Sequence, residues 1–154
     1  VTKALNQMIN GTLWKDIDLM IIDLPPGTGD VHLTMMQKFS IDSVVLVSTP
    51  SQIAVIDLVK SIDMYKKLNI KISGIIENMS YLEVTKDQKQ YIFGKNNVKE
   101  LAIDRGINFL GEIVIDRNIN ESNDDRNPIC YKNKSSAIAM EFGKIAENIL
   151  SSIK

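Results

Sequence analysis

Cysteine is nearly absent from the sequence: Cys130 is the only one among 154 residues, so no disulfide can form within the chain. Such scarcity is typical of proteins in a reducing compartment, and we expect a cytoplasmic location. The net charge is only −1, which predicts neither a nucleic-acid-binding surface nor attraction to a membrane. Long apolar runs are missing too, since stretches such as Val44–Val47 are far too short to span a bilayer.

The N-terminal residues 1–10 also lack the long apolar segment of a signal peptide. The sequence begins at Val1 without an initiator methionine, and we therefore expect it to be part of a longer chain. Apolar residues make up 44% and charged residues 24%, which predicts a globular domain with a genuine hydrophobic core.

The hydrophobic pattern alternates between helical and extended segments. Helices are predicted for residues 1–9, 30–38, 53–68, 97–105 and 135–153, strands for 17–24, 43–48, 71–77 and 108–115, a weak hairpin for 80–93 and a polar loop for 116–133. Because the predicted strands are mainly continuous apolar runs, they favour a mostly parallel sheet with helices on both faces, an α/β fold.

Ligands of open α/β sheets bind beyond the carboxyl ends of the strands, so the residues that follow each strand are the candidate site. The first predicted strand ends in the sequence LMIIDLPPGTGD, in which Asp23 could hold Mg²⁺ directly or through water. Pro25 and Pro26 stiffen the loop, and Gly27 and Gly29 would let the backbone approach a ligand closely. The alternative is a tight turn in front of a helix that is N-capped by Asp30.

Three further residues have both a functional and a structural interpretation. Asn78, after the third strand, could hydrogen-bond a base through its amide, or it could form an Asx-turn that leaves the strand. His32 is the only histidine, and a surface or partly packed position is favoured over a catalytic one. Cys130 cannot hold an iron–sulfur cluster alone, because such clusters need about four ligands, and no iron–sulfur site residue is predicted.

These residues carry a resemblance to a known family. The segments VTKALNQMI, LMIIDLPPGTGDVHLTMMQ, VVLVSTP, ISGIIENMSYL, YIFG, FLGEIVID and the closing helix resemble the Mrp/ApbC family of P-loop ATPases, relatives of MinD and ParA known as iron–sulfur cluster carriers. The combination of PPGTGD with ENMS, in this order and spacing, is specific to that branch.

The resemblance implies a role for each matching residue. Asp23 corresponds to the Walker B acid that acts on Mg²⁺, and Pro25, Pro26 and Gly27 correspond to switch II, whose backbone senses the γ-phosphate and positions water. Asn78 corresponds to the adenine-contacting asparagine. Ile115 and Asp116 fall in the loop that packs beside the adenine. ATP and Mg²⁺ are the implied cofactors, and a homodimer that serves apo iron–sulfur proteins is the implied assembly.

The sequence departs from the family in several places. No Gly-rich P-loop of the form G-x-x-x-x-G-K-[ST] occurs in residues 1–154, and the C-x-x-C that many members carry after ENMS is absent. In this class the P-loop strand is expected between the Walker B strand and the next one, so a central strand would be missing. Ser51 replaces the usual glutamine, and Lys95–Asn97 replace glycines after IFG.

Two functional hypotheses follow. In the first, residues 1–154 are the C-terminal part of a single P-loop ATPase domain of an iron–sulfur cluster carrier, inactive without the P-loop. In the second, they are a non-enzymatic, partner-binding remnant of that fold. A MinD/ParA-type positioning ATPase is disfavoured by PPGTGD with ENMS, and by the mixed charges on the closing helix, which do not suit a membrane anchor.

Overall fold

The computed structural model describes residues 2–85 and 88–153, and the chain divides into two compact units, Val1–Ile41 and Asp42–Lys154. The first unit contains α1 (Thr2–Asn10) and α2 (Asp30–Lys38). The second unit contains β1 (Val44–Ser48), α3 (Gln52–Lys67), β2 (Ile72–Glu77), β3 (Leu82–Thr85), β4 (Gln88–Gln90), α4 (Asn97–Asp104), β5 (Phe109–Glu112), α5 (Arg117–Asp124), α6 (Ile129–Lys132) and α7 (Ala137–Ile153).

The second unit is built on a three-stranded parallel sheet in the order β1-β2-β5. Val45 pairs with Gly74 and Ser48 with Glu77, so the carboxyl ends of β1 and β2 lie side by side. Glu77 in turn pairs with Glu112 of β5. Helices cross over between the strands, as a parallel arrangement requires, and the predicted α/β fold is confirmed.

Both faces of this sheet are covered by helices. On one face α7 packs on β2 and β5, and its Ile145 lies in a buried cluster with Leu110 and Ile113, against which Ile76 packs. Successive strand residues point to opposite faces, so Ile75 points away from that cluster. Helices α3 and α4 contact β1 and β2, and their buried apolar residues are Leu58, Ile62, Tyr65, Val98 and Ala102.

The predicted hairpin within residues 80–93 is confirmed as the antiparallel pair β3 and β4. Its predicted Lys-Asp turn, residues 86–87, lies outside the described residues. Tyr81 and Tyr91 flank the hairpin with ring centroids 6.0 Å apart, and the Lys89 ammonium lies 3.7 Å from the centre of the Tyr81 ring. A cation over an aromatic face is attracted by the ring's quadrupole, which fixes the base of this hairpin.

The prediction of a buried strand at residues 17–24 is wrong. The segment forms no strand, and four of its apolar side chains are exposed, with Ile21 at 83%. An extended segment becomes a strand only through ladder hydrogen bonds to a neighbour, and no other strand exists among the described residues of the first unit. The apolar pattern therefore indicates a segment that is suited to a β-sheet. The described residues of the first unit contain no neighbouring strand with which it could pair.

The prediction of a loop at residues 116–133 is also wrong, because α5 and α6 occupy much of it. Asp116 caps α5 by accepting a hydrogen bond from the backbone N–H of Asn118 at 2.6 Å. These short helices bury few residues, among them Ser122 and Ile129. The segment is strongly polar and its helices are only 8 and 4 residues long, so it lacks the apolar stripe over several turns by which helices are usually predicted.

The part of the chain that the structure describes contains no helix long and apolar enough to cross a membrane. Among the same residues, no group of three or more histidine, cysteine or acidic side chains is arranged to hold a metal ion.

Candidate functional site

Asp23 lies in the first unit, at the end of the unpaired segment 17–24, and its side chain is exposed. No lysine, arginine or histidine among the described residues forms a salt bridge with it. A free carboxylate is the kind of oxygen donor that Mg²⁺ takes from proteins, usually one or two carboxylates together with waters and substrate phosphates. Asp23 therefore fits one protein ligand of such a site.

The loop that follows Asp23 has one position that requires glycine. Gly27 has a φ of +97°, a conformation that residues with side chains rarely adopt. Pro25 and Pro26 precede it with φ restricted by their rings, and all described peptide bonds are trans. The two prolines and the glycine thus give the backbone a stiff entry and a sharp change of direction just beyond the acid.

Gly29, by contrast, has an ordinary φ of −78° and occupies the N-cap position of α2. Its carbonyl oxygen accepts hydrogen bonds from the backbone N–H groups of His32 and Leu33. The prediction that Asp30 caps this helix is wrong, since Asp30 is the first helical residue and no side chain caps the end. An acid in the first turn still interacts favourably with the positive end of the helix dipole.

His32 is 6% exposed, and burial lowers the pKa of its imidazole below the ordinary value. It lies one turn into α2, where Met35 is also buried. The histidine is therefore a packed residue of this helix.

Asn78 follows β2 in the second unit and is partly buried. Its backbone N–H donates to the carbonyl of Ser48 at 2.8 Å, which ties it to the end of β1. Its side-chain Oδ1 accepts a hydrogen bond from the backbone N–H of Met79 at 2.9 Å. The Nδ2 group has no acceptor among the described residues, so the amide retains donors, and one remaining lone pair, for a ligand.

Ile115 and Asp116 lie at the same edge of the sheet as Asn78. The Ile115 N–H donates to the carbonyl of Tyr81 at 2.7 Å, and a parallel bridge joins Ile115 to Leu82. The chain after β2 and the chain after β5 therefore continue side by side beyond the strands. Asp116 uses its Oδ1 to cap α5, so its carboxylate already has a local structural task.

A buried polar cluster beside Asn78 was not predicted as part of the site. The Ser80 hydroxyl lies 2.5 Å from Glu77 Oε1 and 3.1 Å from Glu112 Oε2, and Glu77 Oε2 accepts from the backbone N–H of Val98 at 3.2 Å. Glu77 and Ser80 are each 1% exposed. The signal was present in the sequence as an acid that closes an apolar strand, but only the structure shows that it is buried and bonded.

The predicted residues thus form two groups. Asp23 and the Pro25–Gly27 loop belong to the first unit and offer a carboxylate and a bent backbone. Asn78 and residues 115–116 belong to the second unit and offer an amide and an apolar side chain at one sheet edge. The first group suits a metal-bound phosphate, and the second suits a planar base.

Comparison with known proteins gives the family. Residues 1–150 match the family model described as ParA, NUBPL iron-transfer P-loop NTPase. An iron-sulfur cluster carrier protein of Aquifex aeolicus is 40% identical over 146 residues, which cover 94% of this chain and 40% of that protein. The chain spans about half, or less, of the length of the curated relatives it matches.

Two solved structures share the fold. A nucleotide-binding protein from Archaeoglobus fulgidus in complex with ADP superposes with a TM-score of 0.70 at 34% identity, covering 80% of this chain and 51% of that one. The cell division ATPase MinD of Pyrococcus furiosus superposes with a TM-score of 0.72 at 22% identity, covering 98% of this chain and 59% of that one. The chain therefore belongs to the ParA family of NUBPL-type iron-transfer P-loop NTPases, and the predicted kinship with the Mrp/ApbC carriers is confirmed.

Proposed function

We propose that this chain is part of an ATP-binding and ATP-hydrolysing iron–sulfur cluster carrier of the Mrp type. Family membership over residues 1–150 and relatives described as iron-sulfur cluster carrier or transfer proteins support this function. The proposal of ATP hydrolysis is supported by one short segment, in which the exposed Asp23 is followed by Gly27 with a φ of +97°. An acid and a sharply bent backbone in that order suit a switch that responds to a phosphate.

In this proposal the chain's own residues act by position and charge. Asp23 would hold Mg²⁺, directly or through water, and the Pro25–Gly27 backbone would contact the γ-phosphate and orient the attacking water. A metal ion held at Asp23 would supply positive charge that offsets the negative charge of the phosphates. Hydrolysis then depends on electrostatic stabilisation more than on covalent chemistry by the protein.

The second unit is proposed to contact the base. Asn78 Nδ2 donates to a ring nitrogen of adenine, and its Oδ1 can accept from the exocyclic amine with the lone pair that Met79 leaves free. Ile115 packs against the base, and Asp116 holds the following helix in place. The triphosphate would additionally need a P-loop, which residues 1–154 do not contain.

The test compares two acids of the same segment in a polypeptide that carries a P-loop together with residues 1–154. Asp23→Ala should abolish MgATP hydrolysis, whereas the matched control Asp18→Ala, also exposed, should leave turnover unchanged. Phosphate release at saturating MgATP measures both. Unchanged turnover in Asp23→Ala would refute the role of this acid.

A second candidate function is a non-enzymatic, partner-binding remnant of the fold. The unpaired, exposed segment 17–24 favours it, since such a segment offers a strand to another polypeptide. The sequence upstream of Val1 discriminates between the two candidates. A Gly-rich P-loop there supports the ATPase, while a start codon at that point supports the remnant.

Cluster carriage is proposed for a homodimer, with the iron–sulfur cluster as cargo for apo iron–sulfur proteins. Cys130 is exposed on α6 and is the only thiol, too few for the ligands a cluster needs. We therefore expect Cys130→Ser to leave the iron and sulfide content of the anaerobically reconstituted dimer unchanged. Loss of the cluster in this variant would make Cys130 a ligand, and stoichiometric binding in both proteins would place the ligands elsewhere.

A further inference from the structure

At the end of β2, the two residues Asn78 and Met79 form a turn that lies outside the hydrogen-bonded sheet. The N–H of Ile113 donates to the carbonyl of Glu77 at 2.8 Å, and the N–H of Ser80 donates to the carbonyl of Ile113 at 2.9 Å. Because Glu77 and Ser80 both bond to Ile113, which follows β5 in the same chain, Asn78 and Met79 are looped out between them. The residue proposed to recognise adenine therefore lies in a turn whose two ends are closed by one partner.

Beneath this turn, the side chains of its two end residues bond to each other. The Ser80 hydroxyl donates to Glu77 Oε1 at 2.5 Å, in the range of a charge-assisted O–H···O⁻ bond. The other oxygen, Oε2, accepts from the Val98 N–H in the first turn of α4. A buried carboxylate is costly unless hydrogen bonds satisfy it, so these two bonds hold Glu77 in one place and orientation.

One residue of the turn, Met79, has an unfavourable backbone conformation. Met79 has a φ of +54°, in the left-handed region that residues with a side chain rarely adopt. Such a conformation persists only where the surrounding contacts determine it. Its N–H points at Asn78 Oδ1, so the backbone of Met79 sets the orientation of the Asn78 amide.

We propose that Glu77 and Ser80 are positioning residues for nucleobase recognition. Their carboxylate–hydroxyl bond holds the Asn78–Met79 turn, and the turn aims the Asn78 amide at the base. Selectivity for adenine then depends on two buried side chains that do not touch the nucleotide. This inference rests on the proposed adenine contact of Asn78 and extends it to the residues that support it.

The experiment measures the dissociation constants of MgATP and MgGTP for the polypeptide that carries a P-loop together with residues 1–154. Asn78→Ala and Ser80→Ala should each lower the preference for ATP, by about tenfold if one oriented hydrogen bond worth about 1.4 kcal/mol is lost. The matched control is Ser73→Ala in β2, a serine that is also 1% exposed but whose hydroxyl has no partner among the described residues. This control should keep the preference of the unmodified protein.

Coupling between the residues sharpens the test. The double variant of Asn78→Ala with Ser80→Ala should lose no more selectivity than Asn78→Ala alone, because both changes remove the same oriented amide. Glu77→Gln serves as a milder second variant if Ser80→Ala fails to fold. It retains the shape of the side chain but loses one of the two carboxylate acceptors, and a smaller loss of selectivity is expected.

The outcomes separate the two levels of the proposal. If Asn78→Ala keeps the ATP preference, the adenine contact itself is wrong, and this inference falls with it. In a second case, Asn78→Ala loses the preference for ATP, but Ser80→Ala and Glu77→Gln weaken the binding of ATP and GTP equally. Asn78 then recognises adenine, and the Glu77–Ser80 bond has only a structural role. That second result overturns the inference alone.

Discussion

Residues 17–24 and strand β2 (Ile72–Glu77) each contain an apolar run that is followed by an acid, Asp23 in the first and Glu77 in the second, yet the two segments differ in almost every structural respect. Strand β2 lies between two parallel neighbours, Ile75 is completely buried, and Glu77 is 1% exposed with both carboxylate oxygens bonded. In the other segment Ile21 is 83% exposed and Asp23 has no ion-pair partner among the described residues. An apolar run therefore becomes a strand only where neighbouring strands supply hydrogen bonds and burial.

The same contrast applies to the two acids. Glu77 is enclosed by its neighbours and serves as an internal hydrogen-bond acceptor, which suits a positioning role. Asp23 is accessible, which suits an acid that has to meet a ligand from outside the chain. Similar sequence contexts therefore yield a structural acid in one unit and a candidate ligand-binding acid in the other.

The largest expected difference between the two segments is in hydrogen exchange. In residues 1–154, the amides of β2 should exchange more slowly than those of residues 17–24 by several orders of magnitude, because only β2 amides are bonded within a sheet. Exchange followed by mass spectrometry of peptides measures both in one sample. In a polypeptide that adds a partner strand, residues 17–24 should gain protection. Equal exchange rates in β2 and in residues 17–24 would contradict the claim that only β2 is hydrogen-bonded in a sheet.

The next largest expected difference is in the free energy of unfolding after one isoleucine of each segment is replaced by alanine. Ile75→Ala removes a side chain that is 0% exposed and should lower the free energy of unfolding of residues 1–154 by about 2–5 kcal/mol. Ile21→Ala removes an exposed side chain and should change it by no more than about 0.5 kcal/mol. Urea unfolding of the two variants provides the measurement. A similar loss from both would mean that residues 17–24 are packed.

Replacement of a glycine by alanine should also change the free energy of unfolding differently in the two units. A Cβ at Gly74 would lie 2.7 Å from the carbonyl oxygen of Asn108 and 2.5 Å from Leu110 Cγ, so Gly74→Ala should cost about 1–3 kcal/mol. Gly29→Ala is the matched control, because its φ of −78° suits alanine and the site is open. It should leave the unfolding free energy within about 0.5 kcal/mol of the original. A neutral Gly74→Ala would indicate looser packing of β2 on β5 than the structure shows.

The smallest expected effect tests whether the first unit has any buried structure. Burial lowers the pKa of His32 in the folded state, so the unfolded state takes up the proton more readily as the pH falls. The stability contribution of neutral His32 is present above its ordinary pKa of about 6.5 and is lost as the pH drops below it. Thermal melts at pH 7.5 and 5.5 should show this loss, and His32→Gln should reduce it. An identical pH dependence in His32→Gln would contradict burial of the imidazole.

Several features could be predicted because they depend on residues close in sequence. The limits of α2, Asp30–Lys38, agree with the predicted helix, and a hairpin does lie within residues 80–93, although its second strand is Gln88–Gln90 and does not continue through 91–93. The close approach of Gly27 to a ligand stays a prediction, while the structure shows a separate need for glycine there in its φ of +97°. Helices α5 and α6 could not be predicted in this way, since they are short, with 8 and 4 residues, and the segment that contains them is mostly polar.

The amino-acid pattern was sufficient to predict the parallel α/β class, the Pro25–Gly27 loop and the location of Asn78 just after a strand. Local chemistry decides these features, because side-chain pattern and backbone restrictions need no distant partner. Only the packing of distant segments shows that Ile17–Leu24 is not a strand, although its pattern resembles that of Ile72–Glu77, and that Glu77 and Ser80 are hydrogen-bonded beneath Asn78. Ladder hydrogen bonds and burial come from residues far apart in sequence, so no local pattern could reveal them.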